Sequence, residues 1–412
     1  MITIYAEAEY NINKTDAKVM VIMIYMDNAA TTRMRPQVCD YMMQYLRDRY
    51  ANPSSGYTFS QKVREDIDTA RKKLAASINA DDDEIYMTSG GTESDNWALK
   101  MTADHFKKGH IITTRIEHHA ILRTCEYLEK HGFSVTYLDV NEYGMVNLSE
   151  LRRAIRKDTF LISVMTANNE IGTIQPIEEI GRIAALYNII FHTDAVQAYM
   201  HIPIDVKKMN ISMMSTSAHK LNGPKGTGFL YVNRNVALDP YIHGGMQENG
   251  RRAGTENVAG ICGMAKAVEI AEGSILERQK AEKRMCRYMT SRILNEIPFT
   301  RFNGHPLKRL SNNMNFSFRF ADGATLLVML DKQGICVSAG SACSTNEKSP
   351  SHVLKAIGLS DDLAYSTLRF TINESITRNE IDYVINCLKN NIRQLRENSE
   401  SYINYNASPM QD

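Results

Sequence analysis

The chain has 412 residues, too many for one compact core, so two domains are expected. With 43% apolar and 23% charged residues and a formal net charge of +1, it has the make-up of a soluble globular enzyme, with no overall field to recruit nucleic acid or an anionic membrane. Its seven cysteines are scattered without a Cys-x-x-Cys pair, which argues against a disulfide framework or a structural zinc site and fits a reducing cytoplasm.

Residues 1–18 are polar and without pattern, and residues 1–22 are read as an N-terminal extension. The apolar run 19–26 is too short to span a bilayer, carries no signal-peptide cleavage pattern and leads straight into Asp27, so a strand is expected there. Helical periodicity covers 38–50 and 61–80. Strands are predicted at 84–88, 111–114, 135–138, 160–165, 189–193 and 211–216, most of them separated by helix-length segments. That rhythm is βαβ. It predicts an α/β fold, a mainly parallel sheet with helices on both faces, in which ligands sit beyond the carboxyl ends of the strands. A helical pattern over 258–297 is read as the bridge between domains. Strands at 311–318 and 364–372 and helices at 324–332 and 378–396 then describe a smaller α+β domain, and the polar residues from Glu397 are expected to fray. The expected division is 33–275 for the large domain, and 23–32 with 276–412 for the small one.

The strand ends carry the chemistry. The strand ending at Thr88 runs into Gly90-Gly91-Thr92-Glu93-Ser94-Asp95. Its glycines let backbone approach an anion, and Thr92 with free N–H groups at a helix N-terminus makes a phosphate site. A plain glycine turn with a capping box from Thr92 to Asp95 is the equal alternative. His118 is either a helix cap or an imidazole stacked on a cofactor ring and placed to move protons. Asn168-Asn169 either make a turn or bring an amide to a cofactor hydroxyl. The strand 189–193 closes on Asp194, a carboxylate that is costly to desolvate unless paired. A protonated pyridine nitrogen would pair it; capping the next helix is the alternative. Residues 211–220 read as a strand ending in hydroxyls, a histidine and Lys220, before a Gly/Pro-rich turn into a second strand over 229–232. Hydroxyls and a histidine beside an amine are what a lysine holding a phosphorylated aldehyde needs. Asp194 lies one βαβ-like step earlier, so both should reach one sheet edge. In the second half, Cys343 has only small or polar neighbours, Ser341-Ala342 before and Ser344-Thr345 after, which favours a reactive thiol. Arg369, in a strand, is either solvated or grips a carboxylate in a bidentate pair.

Nine segments together resemble the signature set of the NifS/IscS-type cysteine desulfurases within the class V aminotransferase family. They are Asp27 to Thr32, Ala51 to Ser55, Thr88 to Asn96, Glu117-His118, Asn168 to Gly172, Asp194 to Gln197, Ser217 to Pro224, Arg252 to Thr255 and Gly340 to Cys343. They run in order over nearly the whole chain. The resemblance implies a pyridoxal 5'-phosphate (PLP) enzyme of fold type I, a homodimer that takes sulfur from L-cysteine and leaves L-alanine. By motif position Lys220 would hold PLP, Asp194 would pair with its ring nitrogen, His118 would stack on the ring, and Asn169 and Gln197 would sit at its hydroxyl. Gly91, Thr92, Ser217 and His219 would bind the phosphate, with Thr255 reaching in from the other subunit. Arg369 and Asn28 would hold the substrate carboxylate. Cys343 would be the nucleophile that becomes a persulfide and passes sulfur to an acceptor protein, an iron–sulfur scaffold or a tRNA-thiolation carrier. The chain departs from the family after Ser55, where Tyr57 and Ser60 replace the usual histidine and glycine.

Two other enzyme readings keep Lys220 and Asp194: a class V aminotransferase and a selenocysteine lyase. Neither depends on Cys343 in the same way. A non-enzyme reading, an inactive sulfur-assembly scaffold, is opposed by the intact Lys220, Asp194 and Cys343.

Overall fold

Strands whose residues are buried on both faces need helices above and below, and the chain supplies them alternately. The computed structural model describes residues 23–339 and 349–407. The N-terminal extension and Cys343 lie outside the described residues. In chain order the first part comprises β1 (Ile24–Tyr25), α1 (Pro36–Arg47), α2 (Thr58–Ala76), β2 (Ile85–Thr88), α3 (Gly91–Phe106), β3 (His110–Thr114), α4 (His119–Lys130) and β4 (Ser134–Leu138). Next come α5 (Leu148–Ala154), β5 (Thr159–Ser163), α6 (Ile177–Leu186), β6 (Ile190–Asp194), β7 (Met213–Ser215), β8 (Gly228–Val232) and α7 (Val258–Glu272). Seven strands pair in the order β2-β8-β7-β6-β5-β3-β4. All run parallel except β8, which is antiparallel to both its neighbours. The reversal has a local cause: no full crossover helix fits between β7 and β8, and a short connection can only return antiparallel. As a result the ends of β2, β6 and β7 and the start of β8 share one edge, with Thr88 opposite Gly228 and Asp194 opposite Ser215.

The second part comprises α8 (Ile275–Glu296), β9 (Thr300–Phe302), β10 (Asn313–Phe318), α9 (Gly323–Asp331), β11 (Ile335–Cys336), β12 (Ser338–Ala339), α10 (His352–Ala356), α11 (Asp361–Tyr365), β13 (Thr367–Thr371), α12 (Arg378–Glu397) and α13 (Glu400–Ala407). An antiparallel sheet, β12-β13-β10-β9, packs over a separate core built from Met289, Phe316, Phe370 and Leu388. Ile24 and Met26 join that core, because β1 pairs with β11 and Asp27 bridges to Thr371.

Several expectations are corrected. The single helix read over 258–297 is two, broken at Gly273-Ser274, where glycine is a poor helix former. Ala364 and Tyr365 end α11 instead of opening a strand, because Ser360 caps that helix by accepting from the Leu363 N–H. The tail does not fray at Glu397: α13 forms, with Tyr405 packed on Phe299 and Phe320 at ring distances of 5.4 and 5.5 Å. At the atypical family position, Ser60 is buried and its hydroxyl donates to the Asn52 carbonyl, while Tyr57 is 55% exposed.

One buried ion pair fastens the loop before α7 to the sheet. Glu248, at φ 46°, takes two hydrogen bonds from Arg71 of α2 at 2.7 Å each and one from the Met87 N–H at 2.9 Å. Removing one partner strands the other charge in a dry site. Arg71→Ala is therefore expected to lower the unfolding free energy by about 3 kcal/mol. Denaturant midpoints test this, and a loss under about 1 kcal/mol would show the pair to be dispensable.

Candidate active site

The site is assembled at the shared sheet edge. Asp194 ends β6, buried, its Oδ1 accepting from the Val196 N–H at 2.9 Å. Burial pushes its carboxyl up, and the charges of His118 and Lys220 pull it back down. It caps no helix. Lys220 follows β7 on a single tight turn, Ala218–Lys220. Its Nζ donates to the Ala29 carbonyl at 2.7 Å and the Ala30 carbonyl at 2.6 Å. Gln197 Nε2 donates to the same Ala29 carbonyl at 3.0 Å. His118 is the N-cap of α4, Nδ1 accepting from the Ala120 N–H at 3.1 Å. That bond fixes the neutral tautomer with its proton on Nε2. Burial, with Lys220 and His119 adding to it, lowers the His118 pKa against the pull of Asp194. Three of the residues singled out in the sequence thus feel one another's charge.

Beside them lies a cleft of about 400 Å³ lined by Thr31, Gly90, Gly91, Thr92, Ser217 and His219. Gly90 sits at φ +145° as the N-cap of α3, with no side-chain cap, so the first-turn N–H groups are left for an anion. The alternative of a capping box from Thr92 to Asp95 does not form: α3 begins earlier, and Asp95 is buried within it. A Cβ at Gly91 would lie 2.5 Å from Val196 Cγ2, so close packing of α3 on the turn after β6 demands glycine. His219 Nδ1 lies 3.1 Å from Thr31 Oγ1, and burial beside Lys220 and Lys225 holds its pKa down to about 4. Glu93 lines the same cleft, but Arg252 and the Ser89 N–H engage its carboxylate.

A third group sits on β13. Arg369 is 4% exposed. It donates to Asp27 Oδ1 at 2.7 Å, Ser338 Oγ at 2.9 Å and the Asn169 carbonyl at 3.1 Å, while its Nε has no partner. It is not a solvated strand arginine. Asn28 spends Nδ2 on the Thr371 carbonyl at 2.7 Å. Asn168 alone takes the turn chemistry, its Oδ1 accepting from the Glu170 and Ile171 N–H groups. Thr255 is exposed and does not line the cleft.

Sequence reasoning missed a layer behind these residues. His192 sits between Ser163 and Ser215, each 2.9 Å from a ring nitrogen, and 3.7 Å from Asp95 Oδ1. Burial drives its pKa down to about 3, so it is neutral, while Asp95 is raised by burial and by Asp194. Glu117 accepts from Thr114 and the Met165 N–H and is pushed up to about 8 by burial. The available signal was polarity inside apolar runs, as in Ile189-Ile190-Phe191-His192.

Residues 24–384 match the aminotransferase class-V family, and the chain belongs to it. Within it the chain belongs with the NifS/IscS-type cysteine desulfurases. A cysteine desulfurase IscS of Methanosarcina thermophila is 49% identical over 91% of this chain and 93% of its own length. The solved structure of a NifS-like protein superposes with a TM-score of 0.86 at 37% identity, over 90% of this chain and all of that one. The structure described as SspA in complex with cysteine superposes with a TM-score of 0.77 at 39% identity, over 86% of this chain and 99% of that one. Among the described residues no helix is long and apolar enough to cross a membrane.

Glu117 gives a pH test. Its folded pKa of about 8 stands above the ordinary 4.5, so the unfolded chain releases this proton first as pH rises. The stability it contributes is complete below pH 4.5 and is lost as pH climbs towards 8. Glu117→Gln cannot ionise. Its stability relative to the parent is expected to improve steadily between pH 5 and pH 8, read from denaturant midpoints; a constant difference would mean that Glu117 is ionised throughout.

Proposed function

We propose that this cysteine desulfurase takes sulfur from L-cysteine and leaves L-alanine, with PLP held by Lys220 and the sulfur received by Cys343. The observation that carries the reading is the convergence of Lys220, Asp194 and His118 at one sheet edge beside an anion-ready cleft.

The residues fit the cofactor. Asp194 is a buried carboxylate needing a cation, the uncapped start of α3 offers N–H groups to a phosphate, and the Lys220 amine acts on Asp194 while resting on the carbonyl of Ala30, which lines the cleft. When bound, PLP supplies an electron sink that loosens the bonds at the α- and β-carbons of the substrate. Thr92, Ser217, His219 and the backbone at Gly91 take the phosphate. Gln197 and Asn169 address the ring hydroxyl, and His118 covers the ring. Asp194 would pair with the ring nitrogen, the cation its buried carboxylate needs, and so keep that nitrogen protonated. Lys220, once its amine is free, moves a proton at Nζ. Arg369 has an unpaired Nε to add to a carboxylate, and Asn28 is tied to the same strand through the Thr371 carbonyl. Cys343, as thiolate, attacks the substrate sulfur: the S–S bond forms, the C–S bond breaks, and the β-carbon takes a proton to become the methyl group of alanine. The persulfide then passes its sulfur to an acceptor protein, an iron–sulfur scaffold or a tRNA-thiolation carrier, in the cytoplasm.

The reading includes a homodimer. Leu46, Tyr50, Tyr57 and Met246 are large apolar side chains left exposed, and the loop fastened by Glu248 continues to the exposed Thr255. A second copy covering them would gain apolar burial and receive Thr255 at its phosphate.

The direct test is incubation of purified protein with L-cysteine and a reductant, measuring sulfide and alanine together; equal amounts are expected. Cys343→Ser should keep the yellow cofactor yet lose at least about a hundredfold in sulfide release, and Lys220→Ala should yield no borohydride-reducible lysine adduct. A Cys343→Ser protein working at the normal rate would reassign the chemistry to a lyase or aminotransferase. For the dimer, sedimentation should show two copies and Thr255→Val should weaken PLP binding. A monomer saturated with PLP would refute that part.

A further inference from the structure

We propose that His201 is a positioning residue for Lys220, and that helix α8 holds His201 in place from the small domain. The proposal rests on the reading that Lys220 carries the cofactor.

The backbone of Lys220 meets partners from its own segment and from a second one. Its N–H reaches the Ser217 carbonyl at 3.4 Å, beyond the usual range of an amide hydrogen bond. Its carbonyl, at the close of the turn, is met by His201 Nε2 at 3.0 Å. A side chain that must alternate between covalent and free states needs its Cα fixed by something other than its own terminal amine. His201 supplies that fixture from a different segment, the turn that follows β6.

The imidazole is set up to be a donor and nothing else. Nδ1 has no partner and is closed to solvent, so the proton belongs on Nε2, facing the Lys220 carbonyl. A second proton would become a buried donor without an acceptor. Burial and the charge of Arg278 lower the pKa in agreement, to about 4. The contact therefore persists across the working pH range of an enzyme.

The turn that carries His201 is itself clamped from α8. Met200 lies at φ 62°, a left-handed conformation unusual for a long side chain, so the local chain does not choose this shape unaided. Arg278, 5% exposed, donates to the Met200 carbonyl, and Gln279 Nε2 donates to the carbonyl of His201. Both donors lie in the first turns of the helix that leads into the small domain. The route is short: α8, the 200–201 carbonyls, the imidazole, Lys220. Nothing in the reaction scheme uses His201, and its ring does not line the cleft.

The test uses PLP-loaded enzyme with His201→Phe, which fills the space without a donor, and His201→Gln, whose Nε2 restores one. A bolt with no bearing on Lys220 would alter melting temperature alone. Positioning predicts more. In His201→Phe the pH midpoint of the visible absorption band should move by about half a unit, and kcat should fall about tenfold with KM within about twofold; His201→Gln should recover kcat to within about threefold. An unmoved midpoint with normal kcat in His201→Phe, or a glutamine variant no better than phenylalanine, would overturn the proposal. If His201→Phe fails to fold, Gln279→Ala, which frees only the His201 carbonyl, should shift the midpoint the same way by less, and no shift would overturn the proposal. A parent protein without a visible band would instead defeat the cofactor assignment.

Discussion

A carboxylate at the end of a buried strand loses the water that stabilises its charge, and the site is built around partners for Asp194, whose carboxyl burial pushes up. Its nearest backbone donor, at Val196, is too little for full desolvation. Lys220, on the turn after β7, adds its positive charge, and His118, at the start of α4, packs beside it as a neutral ring. The sheet order is what brings them together, since β6 and β7 are neighbours and the reversed β8 returns beside them. Lys220 in turn rests on the carbonyls of Ala29 and Ala30, from the segment just after β1. One electrostatic demand thus ties residues from the beginning and the middle of the sequence into one place.

The charges are layered. Facing the cleft are groups that can be ionised, with Lys225 and the open start of α3 on the anion-attracting side. Behind them His192, Asp95 and Glu117 are dry, and burial favours the neutral form of each. A neutral, hydrogen-bonded backing keeps the local dielectric low without adding competing charge, so that each ionised group in front acts with more of its strength. Glu93 is the exception that shows the rule: it lies at the anion cleft, and Arg252 neutralises it.

Much of this was legible beforehand. The strands of the large sheet fall close to their predicted places because their apolar runs are bounded by glycine, proline and polar clusters, and Asp194 and Lys220 were visible as polar residues closing such runs. What was not legible depends on contacts remote in sequence. Arg369 was seen as a possible carboxylate grip, but nothing local announces that Asp27 occupies part of it. Asp95 reads as a capping residue because Thr92 precedes it at the right spacing; the earlier start at Gly91 turns it inward. The tail beyond Glu397 looks too polar to order, yet two tyrosines on one side of a short helix meet phenylalanines from distant turns. His201 carries no sequence signal at all, since its role comes from the carbonyl it meets and the helix that clamps its turn.

The placement of β1 has a consequence for how the protein is made. Ile24 and Met26 are buried only among residues of the last third of the chain, and Asp27 meets Arg369 across 342 positions. During synthesis the large sheet can close as soon as β8 has emerged, but β1 must wait, unpaired, for its partners. Loop closure over such a span is slow to be rewarded, so this docking is a late event. It is also the event that delivers the Ala29 and Ala30 carbonyls to Lys220. A nascent chain therefore has a closed large sheet before it has a finished site, and Lys220 is fully housed only when residues 24–30 have met the last third of the chain.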